Sequence, residues 1–367
     1  MHALPALADA LNVELRRLGA ASVVLPLPAD QPPWTPCGLQ LRRGQAYTLF
    51  GDGRVRWSAR HPHLHGGSGF HLWARVAPGG RIVNVTRSTG SFVADVDGEL
   101  ELGIYLGMWR DAQGTLDTPP TAYARLAGGL EVFAIAWPGD APDAAGEAAL
   151  AGAHDVLSRL ARDHAHPLLA AECARLAAGI VPPRGWEYLV ETGTSDIWRA
   201  CDTARRARIC LDADDDQGII RKPLDWPLTH DTVLTWRWRL DEHPSRVAED
   251  VSDSHDYVSI ALEFDNGRDL TWIWSSCLPP EHHFACPIRA WSARETHLVV
   301  RSGEDDAGRW LDERRAVHAD VTRAMGAPPA RIVAVWLIAV ATFRHGRARA
   351  AFEDIRLERG GTRLAVL

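Results

Sequence analysis

Thr232-Val-Leu-Thr-Trp-Arg-Trp-Arg-Leu240 is the stretch that decides the fold class. Successive side chains of a β-strand point to opposite faces. Trp236 and Trp238 therefore share one face, and Arg237 and Arg239 share the other. Thr271-Trp-Ile-Trp274 repeats the device with Trp272 and Trp274. Working outward, strands are predicted over Tyr257–Phe264, Leu270–Ser275, Glu295–Arg301, Arg331–Ala341 and Ala350–Leu357, with a short helix over Val317–Met325. From Trp186 onward the chain reads as an antiparallel β-sandwich.

A second region has the same character. From Gly38 to Pro138, short strands alternate with Gly turns every eight to twelve residues, the pattern of a sandwich or barrel of roughly 100 residues. Ahead of it, Leu4, Leu7, Leu11, Leu15 and Leu18 recur at helical spacing, and Val23-Val-Leu25 reads as a strand. Residues 141–180 are Ala/Leu-rich and helical. The expected fold is all-β with a helical linker, two jelly-roll-like β-sandwich domains joined by that segment. The expected boundaries are 1–30 for an N-terminal helix and linker, 31–140 for the first sandwich, 141–182 for the helical linker and 183–367 for the second sandwich.

Composition narrows the function. Of 367 residues, 46% are hydrophobic and 24% charged, which is ordinary globular usage. The net charge of -7 gives no basic stripe for nucleic acid. No apolar run reaches the roughly 18–20 residues of a membrane helix. The start, Met1-His-Ala-Leu-Pro5, lacks a basic segment followed by an apolar stretch, so a cytoplasmic location is expected, with the six cysteines reduced. Lys222 is the only lysine, so Schiff-base chemistry would have to use it. No Gly-x-Ser-x-Gly elbow, P-loop, dinucleotide fingerprint or His-Glu-x-x-His occurs, so no nucleotide, pyridoxal phosphate or haem is expected.

Several motifs in the C-terminal half occur together in a known family. They are Leu234-Thr-Trp-Arg-Trp-Arg-Leu240, Asp256-Tyr257, Leu262-Glu-Phe264, Thr271-Trp-Ile-Trp274, Val299-Val-Arg-Ser-Gly303, Gly308-Arg-Trp310, Ala319-Asp-Val321 and Ala350-Ala-Phe-Glu-Asp-Ile-Arg-Leu357. In that order they resemble the bacterial family known as domain of unknown function 3047, over roughly Trp186–Leu357. The resemblance implies a jelly roll similar to carbohydrate-binding modules, and no established activity.

In the N-terminal half, Gly44-Gln-Ala-Tyr-Thr48, Gly51-Asp-Gly53, Gly98-Glu-Leu-Glu-Leu-Gly-Ile-Tyr-Leu106 and Asp111-Ala-Gln-Gly-Thr115-Leu-Asp117 resemble the calcium-dependent galactose-binding lectins of bacteria. Those lectins place an Asp, a Thr four residues on, and then a pair of Asn in a calcium loop. Asp111 and Thr115 match, Asp117 falls near the first Asn, and Thr118 or Pro119 stands where the second would be. Arg110 replaces the Asn before the Asp, and a backbone carbonyl near Tyr47 would add a ligand. The resemblance thus implies Ca²⁺ at Asp111, Thr115 and Asp117, an ion that takes six to eight oxygen ligands.

Other residues carry chemistry by type and spacing. His61, His63 and His65 alternate and could share a metal or touch ligand, although Gly66-Gly67 argues for a loop. Cys277, His282, His283 and Cys286 are potential soft ligands at irregular spacing. Asp253, His255, Asp256 and Glu263 could supply acid–base catalysis on a glycoside, with Glu249, Asp265 and Asp269 nearby. Trp272 and Trp274 could stack on sugars or form core, and Arg237 and Arg239 suit carboxylates or hydroxyls. The expected function is recognition of a saccharide, polyol or other small molecule, with no nucleic-acid or membrane partner. The alternative is an enzyme with an interdomain cleft that hydrolyses or eliminates a glycoside, or cyclises or isomerises a small metabolite.

Overall fold

A computed structural model describes residues 3–58, 64–85, 88–106, 109–139, 146–179, 181–189, 192–251, 255–288 and 291–367. The chain divides into two compact units, residues 1–180 and 181–367.

The first unit runs α1 (Ala3–Arg17), β1 (Ala21–Pro28), β2 (Thr35–Leu41), β3 (Ala46–Arg56), β4 (His65–Gly66), α2 (Ser68–His71), β5 (Leu72–Ala77), β6 (Val83–Asn84), β7 (Thr89–Val93), β8 (Gly98–Ile104), β9 (Ala127–Ala136), α3 (Gly146–Asp163) and α4 (Pro167–Ala178). One sheet has the order β1-β9-β3-β4, and β7 also pairs with β3; the facing sheet is β2-β8-β5-β6. Leu27, Leu49, Leu72, Val76, Leu100, Leu102 and Val132 fill the space between the sheets. The first sheet is covered on its other face as well. Phe50, Phe133, Ile135 and Trp137 there meet Leu4, Leu7, Leu11 and Leu15 of α1 and Leu157, Leu160 and Leu169 of α3 and α4. Double covering explains why β9 reads as a nearly continuous apolar run rather than an alternating one.

Two expected linkers thus differ in the structure. Within residues 1–30, β1 pairs with β9 along its whole length. Within 141–182, α3 and α4 form a layer of the first unit. The leucine stripe of α1 and the apolar faces of α3 and α4 need a surface to bury against, and the second face of the sheet supplies it.

The second unit runs β10 (Glu187–Tyr188), β11 (Trp198–Ala200), β12 (Arg208–Asp214), β13 (Gln217–Pro227), β14 (Val233–Glu242), β15 (Ser259–Phe264), β16 (Asp269–Ser275), β17 (His283–Ala285), β18 (Glu295–Ser302), β19 (Leu311–Ala316), α5 (Val317–Met325), β20 (Arg331–Val340), β21 (Arg347–Arg359) and β22 (Thr362–Ala365). A seven-stranded sheet, β10-β13-β20-β15-β16-β18-β17, faces a six-stranded one, β11-β12-β21-β14-β19 with β22 on β21. The fold is mostly β, as expected. One pair departs from the antiparallel expectation: β16 and β18 run parallel, because β18 inserts between β16 and β17.

The tryptophan question is settled by the core. Trp236, Trp238, Trp272 and Trp274 all lie between the two sheets and are 0–1% exposed. The expectation that Trp272 and Trp274 bind ligand is corrected, since the face they share points inward. Their ring centroids lie close: Trp236–Trp238 at 5.4 Å, Trp238–Trp274 at 5.3 Å and Trp236–Trp272 at 6.3 Å. The expectation of six reduced cysteines is also corrected. Cys201 and Cys210 form a disulfide beside the β11–β12 ladder, a bond that persists in oxidising compartments. Among the described residues no helix is long and apolar enough to cross a membrane.

Trp272→Ala should destabilise the protein by about 3–5 kcal/mol, because it leaves a large cavity in the core and removes one donor from Asp320; the denaturant midpoint reads this. Thiol titration of the unfolded, unreduced chain should find four reactive cysteines, Cys37, Cys173, Cys277 and Cys286.

Candidate functional site

Two arrangements of chemical interest are present, one in each unit. The first lies at the end of the first sandwich, where β3 and β8 stop and β5 starts. His65 sits on β4, opposite Arg56. Gly66 follows because the His71 imidazole packs against it: a Cβ at Gly66 would stand 2.7 Å from His71 Cδ2 and Nε2. Gly66 thus accommodates a buried ring, whereas a Cβ at Gly67 would meet nothing within 4 Å. His71 Nε2 accepts from Trp57 Nε1 at 2.8 Å, which places the proton on Nδ1, 2.7 Å from the Tyr105 carbonyl. Burial pushes the His71 pKa down to about 4, so the ring is neutral at pH 7.

From this corner a chain of aromatic rings runs along the unit. Trp57 meets Phe70 at 6.0 Å, Phe70 meets Tyr105 at 5.5 Å, Tyr105 meets Trp109 at 5.6 Å and Trp109 stacks on Trp34 at 5.0 Å. Trp57, Phe70 and Trp34 are half-buried. Trp34 Nε1 donates to the Gly114 carbonyl, so the chain ends against the Asp111–Thr115 turn. His61 and His63 lie outside the described residues.

That turn does not have the form of a calcium site. Asp111 Oδ1 accepts from the backbone N–H groups of Gln113 and Thr115, both at 3.0 Å. Hydrogen bonds from Thr115 hold the Asp111 carboxyl below the usual range. Asp117 faces the Arg110 guanidinium at 3.3 Å. Both carboxylates are thus engaged within the loop, and a cation already stands beside one of them. With these partners in place, the geometry of the loop lends no support to Ca²⁺ at Asp111, Thr115 and Asp117.

The second arrangement lies on the outer face of the seven-stranded sheet, away from the tryptophan core. Such a face is commonly solvated. Here Ala261, Ala334, Trp336 and Ile338 form a small apolar layer with Trp291 and Phe343 packed against it, and β16 is buried at every position. Beside this layer, Asp256, Asp269, Glu295, His255, His297 and Cys286 are all buried.

Their positions follow from the strands. Asp269 and Thr271 on β16 pair with Glu295 and His297 on β18, all pointing outward, opposite Trp272 and Leu298. Asp256 adopts a φ of +52°, a turn that few residues besides Gly, Asn and Asp accept. Its Oδ1 accepts from Ser259 Oγ at 3.1 Å and lies 2.9 Å from His297 Nε2. His297 Nε2 stands 3.7 Å from Glu295 Oε1, and His255 Nε2 stands 3.8 Å from Asp256 Oδ2. Phe284 stacks on His297 at 4.8 Å and Phe343 on His255 at 6.0 Å.

The three carboxyls titrate apart. Burial acts to raise Asp256, yet His297 and His255 outweigh it and hold Asp256 below the usual range. Burial pushes Asp269 up to about 7 against Arg294 and His297. Burial and the charges of Asp256 and Asp269 raise Glu295 well above its ordinary value. His255 is pushed down to about 4 by burial, and burial with Glu295 raises Cys286.

His255 and Asp256, singled out in the sequence, thus come together. Glu263 stands at the margin, accepting from Trp336 Nε1 at 3.1 Å near Arg294 and Arg221. Asp253 lies outside the described residues. Arg237 and Arg239 are on the outer face of the other sheet. Arg237 pairs with Asp312 and Glu353 and Arg239 with Asp241, and both guanidinium groups lie over Trp310. The loop set of Cys277, His282, His283 and Cys286 is split. Cys286 joins the buried group, Cys277 and His283 are exposed, and His282 stands 3.7 Å from Asp250. Glu295 and His297 had no place in the sequence-derived site. Their signal was an ionisable pair at i, i+2 on a strand whose other face is apolar.

Both units are thus β-sandwiches. More particularly, residues 184–356 match the family described as "Protein of unknown function (DUF3047)", nearly the whole of the second unit. No curated protein matches the chain. Among solved structures, the N-terminal domain of EclA, a PllA-like lectin, is similar at 16% identity over 31% of this chain and 94% of that one, with a TM-score of 0.25. The xyloglucanase domain of NopAA, a type three effector from Sinorhizobium fredii in complex with cellobiose, is similar at 9% identity over 49% and 95%, with a TM-score of 0.30. Carbohydrate-binding modules of the β-sandwich superfamily are similar at 10% identity over 92% and 98%, with a TM-score of 0.23.

A buried neutral histidine makes stability pH-dependent with a definite sign. His71 takes a proton near pH 6.5 when unfolded but only near 4 when folded. Its contribution is complete above about 6.5 and is lost as pH falls toward 4. His71→Gln should remove about 3 kcal/mol of that pH dependence, read as melting temperature against pH.

Proposed function

We propose that the protein recognises a saccharide or polyol at the end of its first sandwich. The chain of aromatic rings from Trp57 to Trp34 carries this reading. Sugar rings offer apolar C–H faces ringed by hydroxyls. Aromatic faces bury the former and bring large contact area with few rotors to fix. Half-buried Trp57 and Phe70 provide such faces beside His65 and the Arg56 end of β3. His71, which fixes Trp57 through its indole N–H, is a positioning residue. Apolar ring faces with a few oriented polar groups are the composition of small-ligand sites. Since the Asp111 and Asp117 carboxylates are already engaged, binding by this route uses no calcium.

Calorimetry against a panel of mono- and oligosaccharides tests the reading. At least one should give saturable heat, unchanged by chelator. Trp57→Ala should weaken that ligand about tenfold, the equivalent of ~1.4 kcal/mol. Absence of heat from every sugar would overturn the reading, and binding indifferent to both Trp57→Ala and Phe70→Ala would move the site elsewhere.

A further inference from the structure

The buried group on the outer face of the seven-stranded sheet carries an inference independent of sugar recognition. Two triads of donor atoms meet there, each with its atoms within 4.8 Å of one another: His255, Cys286 and Glu295, and Asp256, Glu295 and His297. All of these residues are buried. The Nδ1 atoms of His255 and His297 and Oδ2 of Asp269 have no hydrogen-bond partner among the described residues. Buried polar groups ordinarily find partners, and each that does not costs on the order of 1–3 kcal/mol. The cationic side chain near the carboxyls is Arg294, 3.9 Å from Asp269. Among the described residues, three carboxyls, two imidazoles and a thiol thus gather beside Phe284 and Phe343 with one guanidinium at their margin.

We propose that this chamber binds one divalent transition-metal ion of the zinc class through His255, Cys286 and Glu295. Nitrogen, sulfur and carboxylate oxygen make a borderline-soft set, suited to zinc and not to calcium or magnesium. A tetrahedral zinc holds its donors at about 2.0–2.3 Å, which sets them roughly 3.3–3.8 Å apart. Side chains already within 4.8 Å reach that spacing by small rotations. On binding, the Cys286 proton and any proton on Glu295 are released, leaving thiolate and carboxylate on the ion.

The second triad has a different part. Asp256 and His297 stand 2.9 Å apart and already form a pair. With His297 3.7 Å from Glu295 and His255 3.8 Å from Asp256, the pair orients two of the ligands from behind, as outer partners do at metal sites. Three protein ligands leave a fourth position on the ion.

Metal analysis and cobalt substitution of the full chain test the proposal. Protein purified without chelator, or dialysed against Zn²⁺, should hold about one zinc per chain. Co²⁺ loaded in its place should show a thiolate-to-cobalt charge-transfer band. Cys286→Ser should abolish the band and Glu295→Gln the bound ion. Asp256→Asn should weaken affinity about tenfold or more, while Cys277→Ser changes nothing. Folded wild-type protein that takes up neither ion overturns the proposal, and no variant is needed for that result. Metal bound with a cobalt spectrum indifferent to Cys286→Ser overturns it equally.

Discussion

The second unit depends on the contact among its indoles. Trp238 touches Trp236, Trp274 and Phe352 between the sheets, and a buried indole usually finds an acceptor for its N–H. Trp238 donates to Glu313 at 3.0 Å, Trp272 to Asp320 at 2.9 Å and Trp274 to the Gly303 carbonyl at 2.9 Å. Two of these acceptors are carboxylates at the edge of the core, and each needs a cation. Arg301 meets Glu313, and Arg315 meets Asp320 with two nitrogens. Arg315 also binds Glu281 with two nitrogens, and Arg323 joins them, holding the Glu281 carboxyl down at about 2. A planar guanidinium can face two acceptors at once where an ammonium cannot. At Trp238 and Trp272, indole, carboxylate and arginine therefore form one structural system, in which the indoles fill the core and the arginines neutralise the carboxylates that hold them.

Both units cover a sheet on its two faces, by different means. In the first, apolar helices lie over Phe50, Phe133 and Ile135, so the second face becomes a second core. In the second, the face away from the tryptophans carries Asp269, Glu295 and His297 as well as Trp336 and Ile338. Hydrophobic burial alone does not account for placing ionisable groups under aromatic covers, since an isolated charge there is costly. That contrast sets the chamber of the second unit apart from ordinary packing.

Much of the sandwich architecture was legible because alternation has a period of two. Trp236, Trp238, Trp272 and Trp274 announced strands and a shared face, and Leu4, Leu7, Leu11 and Leu15 announced a helix. The direction of a face is not encoded in the alternation itself, so whether the tryptophans met solvent or core required the opposite sheet. The same limit hid the site. Glu295 and His297 read as the wet side of a strand, since sequence cannot show Phe284 stacking over that side. Nor could it show that Asp256, on a turn, reaches across to His297. The Asp111 loop was legible as a loop. Asp111 turns its carboxylate to the loop's own amides and Asp117 turns to Arg110, which a motif of matching letters does not reveal.

The insertion of β18 between β16 and β17 has a consequence for the order in which the chamber can exist. The chain leaves β16 at Ser275, lays down the sheet edge as β17, and only then returns through Cys286 to place Glu295 and His297 alongside Asp269 and Thr271. Phe284, which covers His297, pairs with it across that same return. Asp269, Glu295, His297 and the covering Phe284 thus belong to one continuous segment, while His255, Asp256 and Phe343 come to it from outside. This part of the chamber is therefore less a pocket left between finished elements than a fold of the chain upon its own polar side, in place only when the last of these strands has slotted in.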